Sequence, residues 1–352
     1  WIVYNQLNYL KNIDLGFDKE NVITLRMTTE EMAEKVPVLK ERLKSNPDIL
    51  SVGAANANIG EGSGKTIMRV ETPEGMVERG INNFRVDQDF IRTVGIRIID
   101  GRGFSEDFPG DTAVGVIINQ TLAKRLNWDD PVGKKFTLPG DTSTIATVVG
   151  LMSDYYQFGL YNVMEDQLFM YYPVCYVVYV KTSGRNMASA LQYIEGVWKE
   201  LYPGFPFEYT FLDQDFGEQF QADEKRGVVY TSFSILTVLI ACMGLFGLSS
   251  FVSEMRTKEV GIRKVFGSDV SGIVGLMLKN YLALAIVSVV LASAISWYFA
   301  SNWLEGFVHR TSINWVSFVL AGLLTMLITV ITVSYHTIRS ANANPAESLR
   351  NE

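Results

Sequence analysis

Residues 253–270 read SEMRTKEVGIRKVFGSDV, a charged stretch set inside the apolar C-terminal third of the chain. A long uncharged run lies on each side of it. The first starts at Gly227 and reaches Ser253; the second, interrupted early by Lys279, continues from Asn280 to Leu304. A third run extends from Thr311 to Ile338. Each exceeds the roughly 20 apolar residues that cross about 30 Å of hydrocarbon. Residues 228–252, 273–303 and 314–338 are therefore expected to be membrane helices, with 253–270 as a short loop between the first two.

Charge sets the orientation. The loop carries Arg256, Lys258, Arg263 and Lys264, the next loop (304–313) only Arg310, and the tail (339–352) Arg339 and Arg350. Excess Lys and Arg in short loops marks the cytoplasmic side. The loop and tail are expected inside, and residues 1–226 outside. Lys225 and Arg226, at the outer end of the first span, run against this but are outnumbered.

At helical spacing Met255, Ile262, Val265 and Phe266 fall on one stripe of the loop, with Arg256, Lys258, Glu259, Arg263 and Lys264 mostly on the other faces. Gly267 suits a helix C-terminus and Ser268-Asp269 a new N-cap, so a short amphipathic helix should turn a sharp corner into the second span. Physical chemistry alone leaves two destinations for such a helix. Its basic residues can rest on anionic headgroups, or the helix can dock against a cytoplasmic partner.

The gapless stretch EMRTKEVGIRKVFGS resembles the cytoplasmic loop of FtsX-like ABC transporter permeases, the group that includes MacB and the lipoprotein-extracting LolC and LolE. The resemblance implies a coupling helix seated in a cleft of a separate cytoplasmic ATPase. Glu254, Arg256, Lys258, Glu259, Gly261, Ile262, Arg263, Lys264, Phe266 and Gly267 would carry that contact. ATP and Mg would then reside on the partner, with no cofactor in this chain.

The chain has 352 residues, 48% hydrophobic and 20% charged, too polar to be wholly embedded and suited to a folded domain joined to a few spans. Residues 1–226 hold 23 Lys and Arg against 32 Asp and Glu, net −9, while the remainder is net +2. An acidic outer domain argues against nucleic acid as a ligand. Cys175 lies in that domain and Cys242 in the first span, so no disulfide framework is expected. Residues 1–20 read as the end of a span followed by an amphipathic exit helix. FtsX-like permeases carry a span at that point, so the chain is expected to start just after it, as a fragment or the C-terminal unit of a longer permease.

Residues 21–212 read as an α+β domain. Asn21–Met27 is strand-like. Thr28 and Glu31 suggest a capping box for a helix reaching about Ser45, and Ile49–Ala55 is a second strand. A similar βαβ unit recurs in Cys175–Lys181, Met187–Leu201 and Phe207–Leu212, so the two units suggest a split ferredoxin-like subdomain. The intervening insert, about 77–172, is strand-rich. It contains Gly101-Arg102-Gly103-Phe104, Ile118-Asn119 to Ala123, Asp130-Pro131-Val132-Gly133-Lys134 and Val148-Val149-Gly150, which resemble blocks of the MacB-type extracytoplasmic domain. As chemistry these are turn punctuation rather than catalysis. Asp213 is expected to cap a stalk helix (213–227) that continues into the first span.

Other motifs carry less. Gly60 to Thr66 (GEGSGKT) approaches a phosphate-binding loop, but the spacing requires glycine where Ile59 stands, and a β-like segment follows instead of a helix. His309 and His336 are the only histidines, so the outer domain lacks the usual general base and no enzyme is expected. Ala241, Gly244, Gly247 and Ser250 form a small-residue stripe in the first span. Such stripes let helices approach closely in lipid, either within the chain or as a seam with a second permease copy or homologue. Similar stripes occur in the second span (Ala285, Ser288, Ala292, Ser296) and the third (Gly322, Thr325, Thr329, Thr332).

The expected function is that of an inner-membrane, multi-pass ABC permease subunit. It would relay ATP-driven movement from its ATPase to the outer domain in export, efflux or lipoprotein and peptide handling, with a periplasmic adaptor as a further candidate partner. Two other readings stay open: an FtsX-like scaffold regulating an extracytoplasmic hydrolase or signalling partner without transport, and a membrane sensor receptor.

Overall fold

The computed structural model describes residues 1–62, 64–73, 75–138, 141–256, 259–260, 262–263, 266 and 269–341. They fall into two compact units: Asn12–Gln221, and Trp1–Lys11 together with the chain from Ala222 onward.

Among its described residues the unit Asn12–Gln221 contains eleven strands. Four belong to two βαβ units. The first is β1 (Val22–Arg26), α2 (Glu30–Glu34), α3 (Val36–Lys44) and β2 (Ile49–Ala55); the second is β10 (Val177–Thr182), α7 (Met187–Leu201) and β11 (Tyr209–Phe211). They pair in the order β11-β1-β10-β2, each neighbour antiparallel. Helices α2, α3 and α7 cover one face. Ile23, Leu25, Val52, Val178 and Val180 of the sheet pack there against Met32, Val36, Leu39, Leu43, Ile194 and Trp198. The helix after β1 differs from the expected single span in two ways. Thr29, not Thr28, caps it, its hydroxyl accepting from the Met32 amide at 3.3 Å. It also breaks at Lys35. Pro37 lacks an N–H and its ring collides with the carbonyl four residues back, so it is accommodated in the first turn of a fresh helix.

The remaining strands form the insert: β3 (Lys65–Thr72), β4 (Gly75–Val86), β5 (Ile98–Gly101), β6 (Gly115–Asn119), β7 (Lys135–Leu138), β8 (Asp141–Met152) and β9 (Gln167–Tyr171). Short helices α4 (Phe90–Thr93), α5 (Asp111–Val114) and α6 (Gln120–Arg125) punctuate them. Because β4 pairs with both β3 and β9, the path β4-β3-β7-β8-β6-β9 returns to its start and closes a barrel, with β5 added along β8. The barrel thus begins at Lys65, ahead of residue 77. Its interior is filled by Val70, Ile81, Val116, Ile118, Phe136, Val148 and Leu168, with Leu122, Leu126 and Trp128 packed into the same cluster. It is a packed core rather than a ligand chamber.

The motif blocks of the insert serve this construction. Gly101 has φ +70°, and a Cβ there would lie 2.3 Å from the Val149 carbonyl oxygen. A Cβ on Gly150 would lie 2.2 Å from that of Arg102. Asn119 caps α6 by accepting from the Leu122 amide at 3.1 Å, and its own amide donates to Asp154 at 2.8 Å.

Among the described residues a single strand pair, Ala55 with Val86, joins the four-stranded sheet to the barrel. Two side-chain devices reinforce it. Phe90 packs on Tyr179 of the sheet (5.2 Å) and on Phe169 of the barrel (5.7 Å). Lys40 of α3, only 8% exposed, pairs with buried Asp87 immediately after β4 and with Asp89 at 3.0 Å. Burial opposes the Lys40 charge, but the two carboxylates outweigh it and hold its pKa above the ordinary lysine value.

The second unit contains α1 (Ile2–Lys11), the greater part of α8 (Leu212–Met255), α9 (Val270–Glu305) and α10 (Trp315–Ala341). Among the described residues three helical stretches are long and apolar enough to cross a membrane: Phe220–Met255, Ser271–Glu305 and Trp315–Ile338. Asp213 lies inside the first turn of α8 rather than capping it from outside. Helices α9 and α10 pack where Gly322 meets Val289, with Thr329 and Val333 buried nearby.

Candidate coupling segment

The corner between α8 and α9 is built from local hydrogen bonds. The amides of Arg256, Val260 and Phe266 donate to Val252, Arg256 and Ile262 carbonyls at 3.1, 2.9 and 3.1 Å, an i to i−4 pattern proper to α-helix. Asp269 starts α9 with extended backbone (φ −69°, ψ 147°), and its carbonyl receives the Gly272 and Ile273 amides at 3.1 and 3.3 Å. The anchor of the corner is Val260, 4% exposed, which clusters with Ile273 and Met277 of α9. Met277 in turn takes a contact from the Thr337 hydroxyl of α10 at 3.8 Å. The inner ends of α9 and α10 and the loop therefore share one packed point.

The expected apolar stripe is arranged differently. Met255 is 71% exposed, Ile262 48% and Phe266 86%, so none of them anchors the segment within the chain. Val260 does, and sequence reasoning passed over it because it lies off the Met255–Ile262–Phe266 stripe. The signal was there in Ile273 and Met277, which recur four residues apart at the start of α9 and need a partner. Glu254 and Glu259 are exposed, Arg256 half-buried. Arg263 pairs with Glu259 at 2.7 Å, both side chains partly exposed. Lys258, Gly261, Lys264, Val265, Gly267 and Ser268 lie outside the described residues, as does the tail from 342 onward.

In the first span a Cβ added to Gly244 or Gly247 would meet nothing within 4 Å, and Ala241 is exposed and Ser250 half-buried. This stripe is not used at its glycines for packing within the chain. The rest of the span touches α10 instead, through Phe246, whose ring lies 4.2 Å from that of His336.

At the opposite end of the same unit, Gln6 of α1 is fully buried. Its amide donates to the His309 carbonyl at 2.6 Å and accepts from the Thr311 amide at 2.8 Å. One side chain thus ties α1 to the loop between α9 and α10.

The phosphate-loop-like stretch does not form a phosphate site. Lys65 opens strand β3 and pairs with Glu165 at 2.9 Å, whereas phosphate binding requires a helix N-terminus there. Ser63 lies outside the described residues. Among the described residues no three His, Cys, Asp or Glu side chains converge to hold a metal ion.

Comparison with known proteins follows this division of the chain. The FtsX-like permease C-terminal family matches residues 231–345 and the MacB-like periplasmic core domain family residues 9–197. The chain belongs to the FtsX-like, MacB-family ABC transporter permeases. No curated protein matches it in sequence. Similar solved structures include the periplasmic region of MacB from Actinobacillus actinomycetemcomitans, 16% identical over 56% of this chain and 92% of that one (TM-score 0.41). The extracellular domain of the noncanonic ABC-type transporter YknZ from Gram-positive bacteria is 16% identical over 54% and 98% (TM-score 0.37). A domain of a permease-type protein from Porphyromonas gingivalis is 14% identical over 54% and 88% (TM-score 0.36).

The chain is thus a permease subunit of an ABC transporter, coupled to a cytoplasmic ATPase. It is a multi-pass protein of the inner membrane with an extracytoplasmic domain.

Proposed function

We propose that residues 253–270 are the element on which the cytoplasmic ATPase seats. Glu254, Arg256, Glu259, Ile262, Arg263 and Phe266, with Lys258, Gly261, Lys264 and Gly267 beside them in sequence, make the contact. The observation that carries this reading is the pairing of a buried anchor, Val260, with large apolar side chains left uncovered at the corner, above all Phe266 at 86% exposure. A helix fixed from below and apolar on its free side is suited to a partner's groove. Its movement would pass through the point shared by Val260, Met277 and Thr337 to the spans, and through a stalk at 213–227 to the domain at 21–212. Work done on that domain, in export, efflux or the handling of lipoproteins or peptides, needs no substrate path through these helices. The strand order β11-β1-β10-β2 supports a ferredoxin-like subdomain, and the open face of Ala241, Gly244, Gly247 and Ser250 supports a seam with a second permease copy. A periplasmic adaptor fits the same scheme.

The test is co-purification of the ATPase with wild-type chain and with Arg263→Glu/Lys264→Glu at low and moderate salt. Truncating one member of a buried interfacial charge pair costs about 2–5 kcal/mol, and reversal adds repulsion, so the variant should lose its ATPase while still inserting. Headgroup contact alone is worth about 1 kcal/mol per basic residue and is screened by salt. Equal recovery of the ATPase with both proteins would show a membrane-surface helix instead.

A further inference from the structure

The four-stranded sheet ends in β11, three residues long, which pairs with β1 and with no other strand among the described residues. An edge strand presents a row of backbone N–H and C=O groups to any extended chain laid beside it. Side chains alternate across such a strand, and here the two sides differ in kind. Tyr209 and Phe211 stand opposite Leu25 and Ile23, on the helix-covered side. Phe207 stacks on Tyr209 at 5.3 Å and Tyr209 meets Phe211 edge-on at 5.6 Å, an aromatic ladder whose central Tyr209 is 40% exposed.

Thr210 points the other way, its hydroxyl 2.6 Å from that of Thr24 and donating to Asp215 at 2.7 Å. That side opens into a cleft of about 410 Å³, whose lining includes Glu61, Glu208, Asp215 and Glu218. Among the described residues Arg26 is the one cation lining it, and Glu61 already holds Arg26 in an ion pair. Glu208 and Glu218 are exposed to water.

We propose that β11 is a docking edge for an extended segment of an extracytoplasmic partner protein, in which basic and apolar residues alternate. Backbone pairing to β11 gives the register. The apolar residues lie along Phe207, Tyr209 and Phe211; the basic ones reach Glu208, Asp215 and Glu218. Charge selects this occupant over a second copy of the same domain, because residues 1–226 carry net −9 and would repel themselves. The proposal concerns the outer domain and does not rest on the reading of the coupling segment.

The probe is a fluorescein-labelled decapeptide of alternating lysine and valine, titrated by anisotropy onto the full chain in neutral detergent. Two companion peptides are N-methylated on either the lysine or the valine amides, and a third replaces lysine by glutamate. Pairing to one edge uses the N–H groups of only one alternate set. One methylated peptide should therefore bind as the parent does and the other at least tenfold more weakly, and the glutamate peptide should not bind. Glu208→Gln/Glu218→Gln, two exposed positions that hold no part of the fold together, should weaken the parent at least tenfold. No parent binding, equal binding of both methylated peptides, or an unaffected double variant would overturn the proposal.

Discussion

Replacing Lys40 by Met removes the buried cation paired with Asp87, while Asp89 keeps Lys44 at 3.3 Å and Arg92 at 3.1 Å. The three side chains are 9–13% exposed, so water cannot take over the solvation of the Asp87 carboxylate left behind. Breaking a buried pair by deleting one partner costs about 3–5 kcal/mol. A tenfold change in equilibrium corresponds to about 1.4 kcal/mol, so local opening should become about 100–4,000 times more frequent. The site of damage is specified by the junction, where Ala55 and Val86 pair between sheet and barrel. Hydrogen exchange of the full chain in detergent should accelerate by that factor at Val52–Ala55 and Phe84–Val86, and less at α7. Lys40→Met with Asp87→Leu should recover much of the loss, because no isolated charge then remains at Asp87. The pH dependence adds a sign. Lys40 titrates above its ordinary 10.5 in the folded chain, so its contribution is complete below 10.5 and lost as pH rises through the higher folded value. Asp89, held below 3.8 by Lys40 and Lys44 against the opposing effect of burial, contributes above 3.8 and loses that as pH falls through its lowered value. The alkaline loss should vanish in Lys40→Met. Exchange at the junction within threefold of wild type would refute the reasoning, as would an unchanged alkaline loss.

Val260→Ala should cost about 1–3 kcal/mol locally by emptying the corner packed on Ile273 and Met277. Trypsin should then cut at Arg256 and Arg263 several-fold faster, and an unchanged rate would remove Val260 as the anchor. Gly150→Ala places a Cβ 2.2 Å from the Arg102 carbonyl oxygen, whereas Gly103→Ala meets nothing within 4 Å. The first should destabilise the barrel by about 1–3 kcal/mol and the second by under about 0.5 kcal/mol; thermal melts that do not separate them would contradict the close approach. Cys175 is fully buried, and burial pushes its thiol up to about 12. In a Cys242→Ala background it should resist maleimide at pH 8 until the domain is unfolded, and prompt labelling of the native chain would count against that burial.

How much of this was legible beforehand depended on how local the determining physics is. The strand Ile49–Ala55 and the helix Met187–Leu201 are where the pattern put them, because apolar periodicity and flanking Pro and Gly act within a few residues. The break at Lys35 was equally local, and Pro37 announced it. Closure of the barrel was not legible. It depends on β4 pairing with both β3 and β9, and nothing in the stretch GMVERGINNFRV tells which strands will flank it. The coupling segment divides the same way. Its charges and glycines carry the family resemblance from sequence alone, through their types and spacing. Which apolar residue is buried is decided by α9, through Ile273 and Met277, and so by a partner that a helical wheel drawn on residues 253–270 omits. Gln6 is the extreme case. An amide in an amphipathic exit helix reads as a solvated residue, yet it is fully buried and holds the backbone of His309 and Thr311. Its role comes from a loop about 300 residues further along the chain. Residues that fix one element onto a distant one are the least visible in a sequence, because the partner that gives them their role lies outside any local window.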